Sequence, residues 1–132
     1  MATLVLDDEE ARRLWFKAHI PNAVCVATSA EAIATLAARA QRGEKFTALF
    51  CDRHLGDRRK NGTGDDVIDH IVANAELYAD LHVVLHTSDA AGAHFLVKCL
   101  EQEGISASAC PFGSDLLGNA VKEKKRRNYS RG

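Results

Sequence analysis

Short apolar runs recur along this chain of 132 residues, and each is followed by a segment whose apolar residues repeat with helical period. Residues 3–6 form the first run, which ends at Asp7 and Asp8. Ala11, Leu14, Trp15 and Ala18 follow at the i, i+3, i+4, i+7 spacing of one buried helix face. Pro21 and Asn22 break that pattern, and residues 23–27 read as a second strand. Thr28 or Ser29 caps the next helix, with Glu31 in its first turn, Ile33, Leu36, Ala37 and Ala40 inward, and Gly43 as its stop. Residues 46–51 make a third strand, apolar throughout, as expected where both faces of a sheet are covered. A polar loop over 53–63 leads to a helix with Val67, Ile68, Ile71, Val72 and Ala75 inward. Residues 81–85 are the fourth strand. Phe95, Leu96, Cys99 and Leu100 mark another helix, which Gly104 stops. Residues 105–110 are a weaker, Ser- and Ala-rich fifth strand, and Leu116, Leu117, Ala120 and Val121 suit a last helix.

Five β–α units in about 120 residues predict an α/β fold with a parallel sheet and helices on both faces. At this size the flavodoxin-like, three-layer arrangement with strand order 2-1-3-4-5 is the expected one, given right-handed crossovers. The organisation is then one α/β domain over residues 1–121 and a basic tail over 122–132. The formal net charge of -1 divides along the same line. The tail holds six Lys/Arg and one acid, so the body keeps 11 basic and 17 acidic groups. No apolar run approaches the roughly 20 residues needed to span a bilayer, which argues against a membrane protein. The N-terminus lacks the pattern of a secretory signal. Cys25, Cys51, Cys99 and Cys110 have no C-x-x-C or zinc-like spacing and read as reduced, mostly buried thiols, pointing to the cytoplasm.

In this fold, sites lie beyond the carboxyl ends of the strands. That rule selects Asp7 and Asp8 after the first strand, Asp52 after the third, His86 and Thr87 after the fourth, and Cys110 after the fifth. Strands one and three are neighbours, so three carboxylates converge. One acid at a strand end is explained by capping or solvent; three at two adjacent ends repel one another unless a cation or protons compensate them. Hard oxygen ligands favour Mg²⁺, which keeps waters for a phosphate to displace. The candidate metal ligands are therefore Asp7, Asp8 and Asp52.

The chemistry around them suits a phosphate. His86 at the mouth of the fourth strand is the best-placed general acid or base, because imidazole titrates near neutrality. Thr87 and Ser88 offer hydroxyl donors. Gly62, Thr63 and Gly64 would let backbone amides approach an anion at a helix start. Arg53, with Arg58, Arg59 and Lys60, adds positive charge after Asp52. The basic tail could add weak nucleic-acid contact through phosphates, with strong salt dependence.

The Asp7-Asp8 pair, Asp52 and Thr87 resemble the receiver domain of bacterial response regulators over residues 3 to 121. A closer resemblance is to the cyclic-phosphate-processing receiver-like domains. Asp52-Arg53-His54-Leu55-Gly56 with Gly62-Thr63-Gly64-Asp65-Asp66-Val67 is similar to their D-H-D-L-G…G-T-G-x-D-V. His86-Thr87-Ser88-Asp89-Ala90-Ala91-Gly92-Ala93 is similar to their H-S-x-N-x-x-G-A, and Cys110-Pro111-Phe112 to their closing P-F. His54 and Asp89 depart from those patterns, and Cys110 stands where receivers place a Lys. The receiver resemblance implies an acidic pair holding Mg²⁺, a central Asp accepting a phosphoryl group and a hydroxyl contacting it. The closer one implies action on cyclic phosphates of nucleotides or RNA ends.

Three functions follow as expectations. The first is a metal-dependent phosphohydrolase or cyclic phosphodiesterase, with Asp52 and His86 catalytic and Arg53, His54, Gly62, Thr63, Gly64, Thr87 and Ser88 around the phosphate. Its partner is a phosphate-bearing small molecule or nucleic-acid end. The second is a signalling receiver with Asp52 as phosphoacceptor. The third is a receiver fold used only to bind a protein partner.

Overall fold

The computed structural model describes residues 2–110. Its five strands are β1 (Ala2–Leu6), β2 (Val24–Val26), β3 (Phe46–Cys51), β4 (His82–Leu85) and β5 (Ser106–Ala109). They form one sheet in the order β2-β1-β3-β4-β5, every pairing parallel. The helices are α1 (Glu10–His19), α2 (Ser29–Gln41), a single turn α3 (Arg58–Asn61), α4 (Gly64–Ala73) and α5 (Ala90–Gln102). This is the flavodoxin-like fold read from the sequence. The expected last helix, Pro111-Phe112 and the basic tail lie outside the described residues.

Strand alternation sorts the sheet's side chains between two cores. Leu4 and Leu6 of β1, Leu49 and Cys51 of β3, and Val83 and Leu85 of β4 share the larger core with α2, α4 and α5. Val5, Ala48, Phe50 and Val84, the residues of opposite parity, join Phe16, Ile20 and Cys110 in the smaller core under α1.

The helices start where local chemistry dictates. The Thr28 side chain accepts from the Glu31 amide at α2. Thr63 and Asp66 form a reciprocal capping box at α4. Asp89 accepts from the Gly92 amide at α5.

Two expected faces are corrected. Ala11, Leu14 and Ala18 are exposed, Leu14 to 62%, whereas Phe16 is fully buried and Ile20 nearly so. The inner face of α1 includes Arg12, which faces buried acids, so its polarity hid the face from an apolar periodicity count. Likewise Phe95 is 66% exposed, and Ala93, Leu96 and Leu100 carry the inner face of α5. The loop over 53–63 also contains α3, and Ala75 falls in a 3₁₀ turn after α4.

Candidate functional site at the carboxyl edge of the sheet

Hydrogen bonding across the sheet continues one residue past each strand end. The Asp7 amide donates to the Val26 carbonyl, Asp52 to Leu6, His86 to Cys51 and Cys110 to Leu85, at 2.8–3.1 Å. Register thus sets Asp7, Asp52, His86 and Cys110 in a row along the carboxyl edge. Asp7, Asp52 and His86 continue the parity of Val5, Phe50 and Val84, so their side chains turn toward α1. All three are buried. Each offers one ligand atom, and these atoms lie within 4.8 Å of one another.

The links inside the group are specific. His86 Nε2 lies 3.0 Å from Asp7 Oδ2. The imidazole also tilts against the buried Phe16 ring at 5.3 Å between centroids. Asp7 Oδ1 accepts from the Glu9 amide at 2.9 Å, and Asp52 Oδ1 from the His54 amide at 3.4 Å. Burial pushes the Asp52 carboxyl up to about 6 from its ordinary value of 3.8. The His86 ring opposes that rise, the Asp7 charge adds to it, and Arg12 and the His54 amide oppose it.

Arg12 is the residue beside this group that the sequence reading missed. Its Nη1 lies 3.6 Å from Asp7 Oδ2 and 3.5 Å from Asp52 Oδ2, while Nη2 bonds Glu9 at 3.0 Å. Beside it, Arg13 Nη1 donates to the Asp7 carbonyl at 2.7 Å. The signal was available: Arg12 stands one turn before Phe16, and a charge on a buried face requires a buried counter-charge.

The other candidates take different positions. Asp8 is not one of the three residues of this group. Its Oδ2 lies 2.9 Å from where a Cβ on Gly56 would stand, and Gly56 itself adopts φ +75°. Arg53 is committed to a clamp. It grips Asp65 with Nε and Nη2 at 2.9 and 3.2 Å and bonds Asp89 through Nη1, joining the starts of α4 and α5. The His54 side chain is exposed. The amides of Gly62, Thr63 and Gly64 are engaged locally, with Arg58, Asp66 and Arg53. Gly64 serves packing: a Cβ there would meet the Asp52 carbonyl oxygen at 2.2 Å and Arg53 Cα at 2.8 Å. Thr87 is buried with its hydroxyl accepting from the Asp89 amide at 3.2 Å, and Ser88 is exposed.

The family model for the cyclic-phosphate processing receiver domain matches residues 2–102, which include β1 to α5 and every residue of the Asp7–Asp52–His86 group. The chain belongs to that family. Among solved structures, this receiver domain is similar to a response regulator from Colwellia psychrerythraea, with TM-score 0.67, 14% identity, and 96% and 97% of the two chains covered. It is also similar to the N-terminal domain of a response regulator/sensory box/GGDEF 3-domain protein from Carboxydothermus hydrogenoformans. There the TM-score is 0.60 and identity 15%, with 99% of this chain and 98% of that one covered. A BeF3-activated DrrB receiver domain gives TM-score 0.56 at 15% identity, covering 92% and 94%. These likenesses establish the receiver fold. No curated protein sequence matches significantly.

The donor set of the group suits a hard divalent cation. Asp7 and Asp52 direct carboxylate oxygens at one point, where a positive guanidinium already stands. Two carboxylates are the usual protein share of a Mg²⁺ shell, leaving positions for water and phosphate oxygens. His86 is engaged with Asp7, as an orienting partner of a ligating carboxylate would be. No helix of the described residues is long and apolar enough to cross a membrane.

Proposed function

We propose that this receiver domain binds a phosphate group at the carboxyl edge of its sheet and opens a cyclic phosphodiester, of a nucleotide or an RNA end, by hydrolysis. The observation that carries the reading is the buried Asp7–Asp52–His86 group. An imidazole lies within one hydrogen bond of a carboxylate, beside a second carboxylate whose pKa has risen to about 6.

Asp7, Asp8 and Asp52 would hold Mg²⁺, which would neutralise charge on the phosphoryl oxygens. The chain's own groups handle the protons. Water attacks phosphorus, one ribose–oxygen bond to phosphorus breaks, and the ring opens to a phosphomonoester. The attacking water gives up a proton and the departing oxygen takes one, so a base and an acid are both required. Asp52 accepts the first, and His86, bonded to Asp7, supplies the second. The Thr87 hydroxyl, at the mouth of β4, orients the phosphate, and exposed Ser88 and His54 line the approach. Arg53 acts indirectly: its clamp on Asp65 and Asp89 fixes the loop after β3 against the loop after β4.

The test is incubation with Mg²⁺ and a panel of 2′,3′-cyclic nucleotides and cyclic-phosphate RNA ends, beside Asp52→Ala and His86→Ala. Turnover by the natural sequence, with each variant reduced at least about 100-fold, is the expected result. A panel without any turnover overturns the reading. Acetyl-phosphate labelling that disappears in Asp52→Ala, without turnover, would assign a signalling role to the same edge instead.

A further inference from the structure

We propose that a cavity between α5 and β5 holds the nucleobase of the nucleotide whose phosphate sits at the carboxyl edge. The inference rests on the phosphate reading above and adds a second subsite to it, one that binds the base.

The cavity adjoins the row of edge residues. It has a volume of about 330 Å³ and is lined by Thr87, Ala109, Cys110 and one face of α5. On that face Ala90, Ala93, His94 and Val97 recur at i, i+3, i+4 and i+7. Thr87 follows His86 directly, so their Cα atoms are about 3.8 Å apart. On the other side, the Cys110 amide donates to the Leu85 carbonyl at 2.8 Å, one residue before His86. Cavity and edge thus share a wall. A ligand held at the edge by its phosphate reaches the cavity within the length of a single nucleotide.

Its chemistry suits a base. None of the seven lining residues is Asp, Glu, Lys or Arg, whereas the edge beside it carries Asp7 and Asp52. Thr87, Ala93 and Cys110 are buried and make the floor; Ala90, His94 and Ala109 are exposed and make the rim. Three alanines, two from the helix and one from the strand, leave room for a ring between the two elements. The His94 imidazole at the rim offers a face on which a base stacks, a contact that tolerates any base. Thr87 is only 7% exposed, and its hydroxyl accepts from the Asp89 amide, which leaves the hydroxyl proton to donate to an oxygen of the ligand. The volume lies at the lower end of the roughly 300–1,000 Å³ of small-molecule sites, which suits one base with its sugar and not a duplex. The ligand is then a mononucleotide or the terminal residue of an RNA strand.

Titration calorimetry with Mg²⁺ present tests this with three ligands that contain no cyclic phosphate to open: inorganic phosphate, ribose 3-phosphate and adenosine 3′-phosphate. The natural sequence is expected to bind adenosine 3′-phosphate about tenfold more tightly than ribose 3-phosphate, toward the low end of what stacking one base contributes. His94→Ala removes the stacking ring from an exposed position, and Ala109→Phe fills the cavity. Each should bring those two ligands to equal affinity while inorganic phosphate binds as before, and His94→Phe should restore the preference. A natural sequence that binds phosphate without preferring the base overturns the proposal, leaves the cavity to a protein segment and lets the phosphate reading stand. A preference that survives both His94→Ala and Ala109→Phe overturns it by placing the base elsewhere. If no ligand binds, the phosphate reading fails and the assignment with it. With the preference intact, a dinucleotide ending in adenosine 3′-phosphate separates the two sources. Affinity equal to that of the mononucleotide supports an RNA end in the cavity, and an affinity about tenfold weaker supports a free nucleotide there.

Discussion

Asp52 illustrates how a buried carboxylate works against the fold that carries it. Its pKa of about 6 in the folded chain lies above the 3.8 of the free side chain, so the folded state holds the proton more tightly. Stability therefore falls as pH rises between those values, and above pH 6 the full penalty applies. At about 1.4 kcal/mol per pH unit, that penalty is on the order of 3 kcal/mol. Asp52→Asn in metal-free buffer should gain about 2–3 kcal/mol of unfolding free energy at pH 7.5, shrinking to nothing below about pH 4. Denaturant melts at the two pH values measure this. A variant less stable than the natural sequence at pH 7.5 would show that the charge is wanted by the fold. Gly64 presents the opposite case, a small residue required by close approach. A Cβ there meets the Asp52 carbonyl at 2.2 Å, so Gly64→Ala should destabilise by about 2–3 kcal/mol and displace the site backbone.

At the scale of elements, α1 is the piece that joins core to chemistry. Phe16 anchors it against Phe50, and Arg12, a turn earlier, reaches the acids. Phe16→Ala should cost about 3–5 kcal/mol, as for other fully buried aromatic truncations, whereas Leu14→Ala should stay within about 0.5 kcal/mol. Equal losses from the two would restore the face that apolar periodicity suggested. That contrast also shows what was legible. Strands whose faces are both covered, such as Phe46–Cys51, announce themselves as unbroken apolar runs. Their carboxyl ends select Asp7, Asp52 and His86 by rule alone. Helix faces were harder, because exposed Leu14 and Phe95 mimic an inner stripe while the inward, half-buried Arg12 does not. Asp8 was grouped with Asp7 because both follow the first strand at the carboxyl edge. In the fold the Asp8 carboxylate stands near Gly56, in the loop after β3. Arg53 looked like free positive charge, and only tertiary proximity shows that Asp65 and Asp89 absorb it.

The whole molecule is a receiver scaffold whose sheet register lines up an acid, an acid and an imidazole, with a guanidinium brought over from α1. Sheet order puts β1 between β2 and β3, so the acids after β1 and β3 must meet. β4 lies next to β3, so His86 must join them. Placing a cation there should stabilise the fold by mass action: at a Mg²⁺ concentration 100-fold above its dissociation constant, about 2.7 kcal/mol. Asp7→Asn should abolish that Mg²⁺-dependent rise in melting temperature, and a rise that survives the substitution would place the cation elsewhere. The central claim is that this edge opens a cyclic phosphate, and phosphorus NMR follows that bond directly. With Mg²⁺ and a 2′,3′-cyclic nucleotide, the cyclic-phosphate resonance should give way to a phosphomonoester resonance. His86→Ala should leave it in place while still binding Mg²⁺. A cyclic resonance that persists unchanged with the natural sequence would contradict the account.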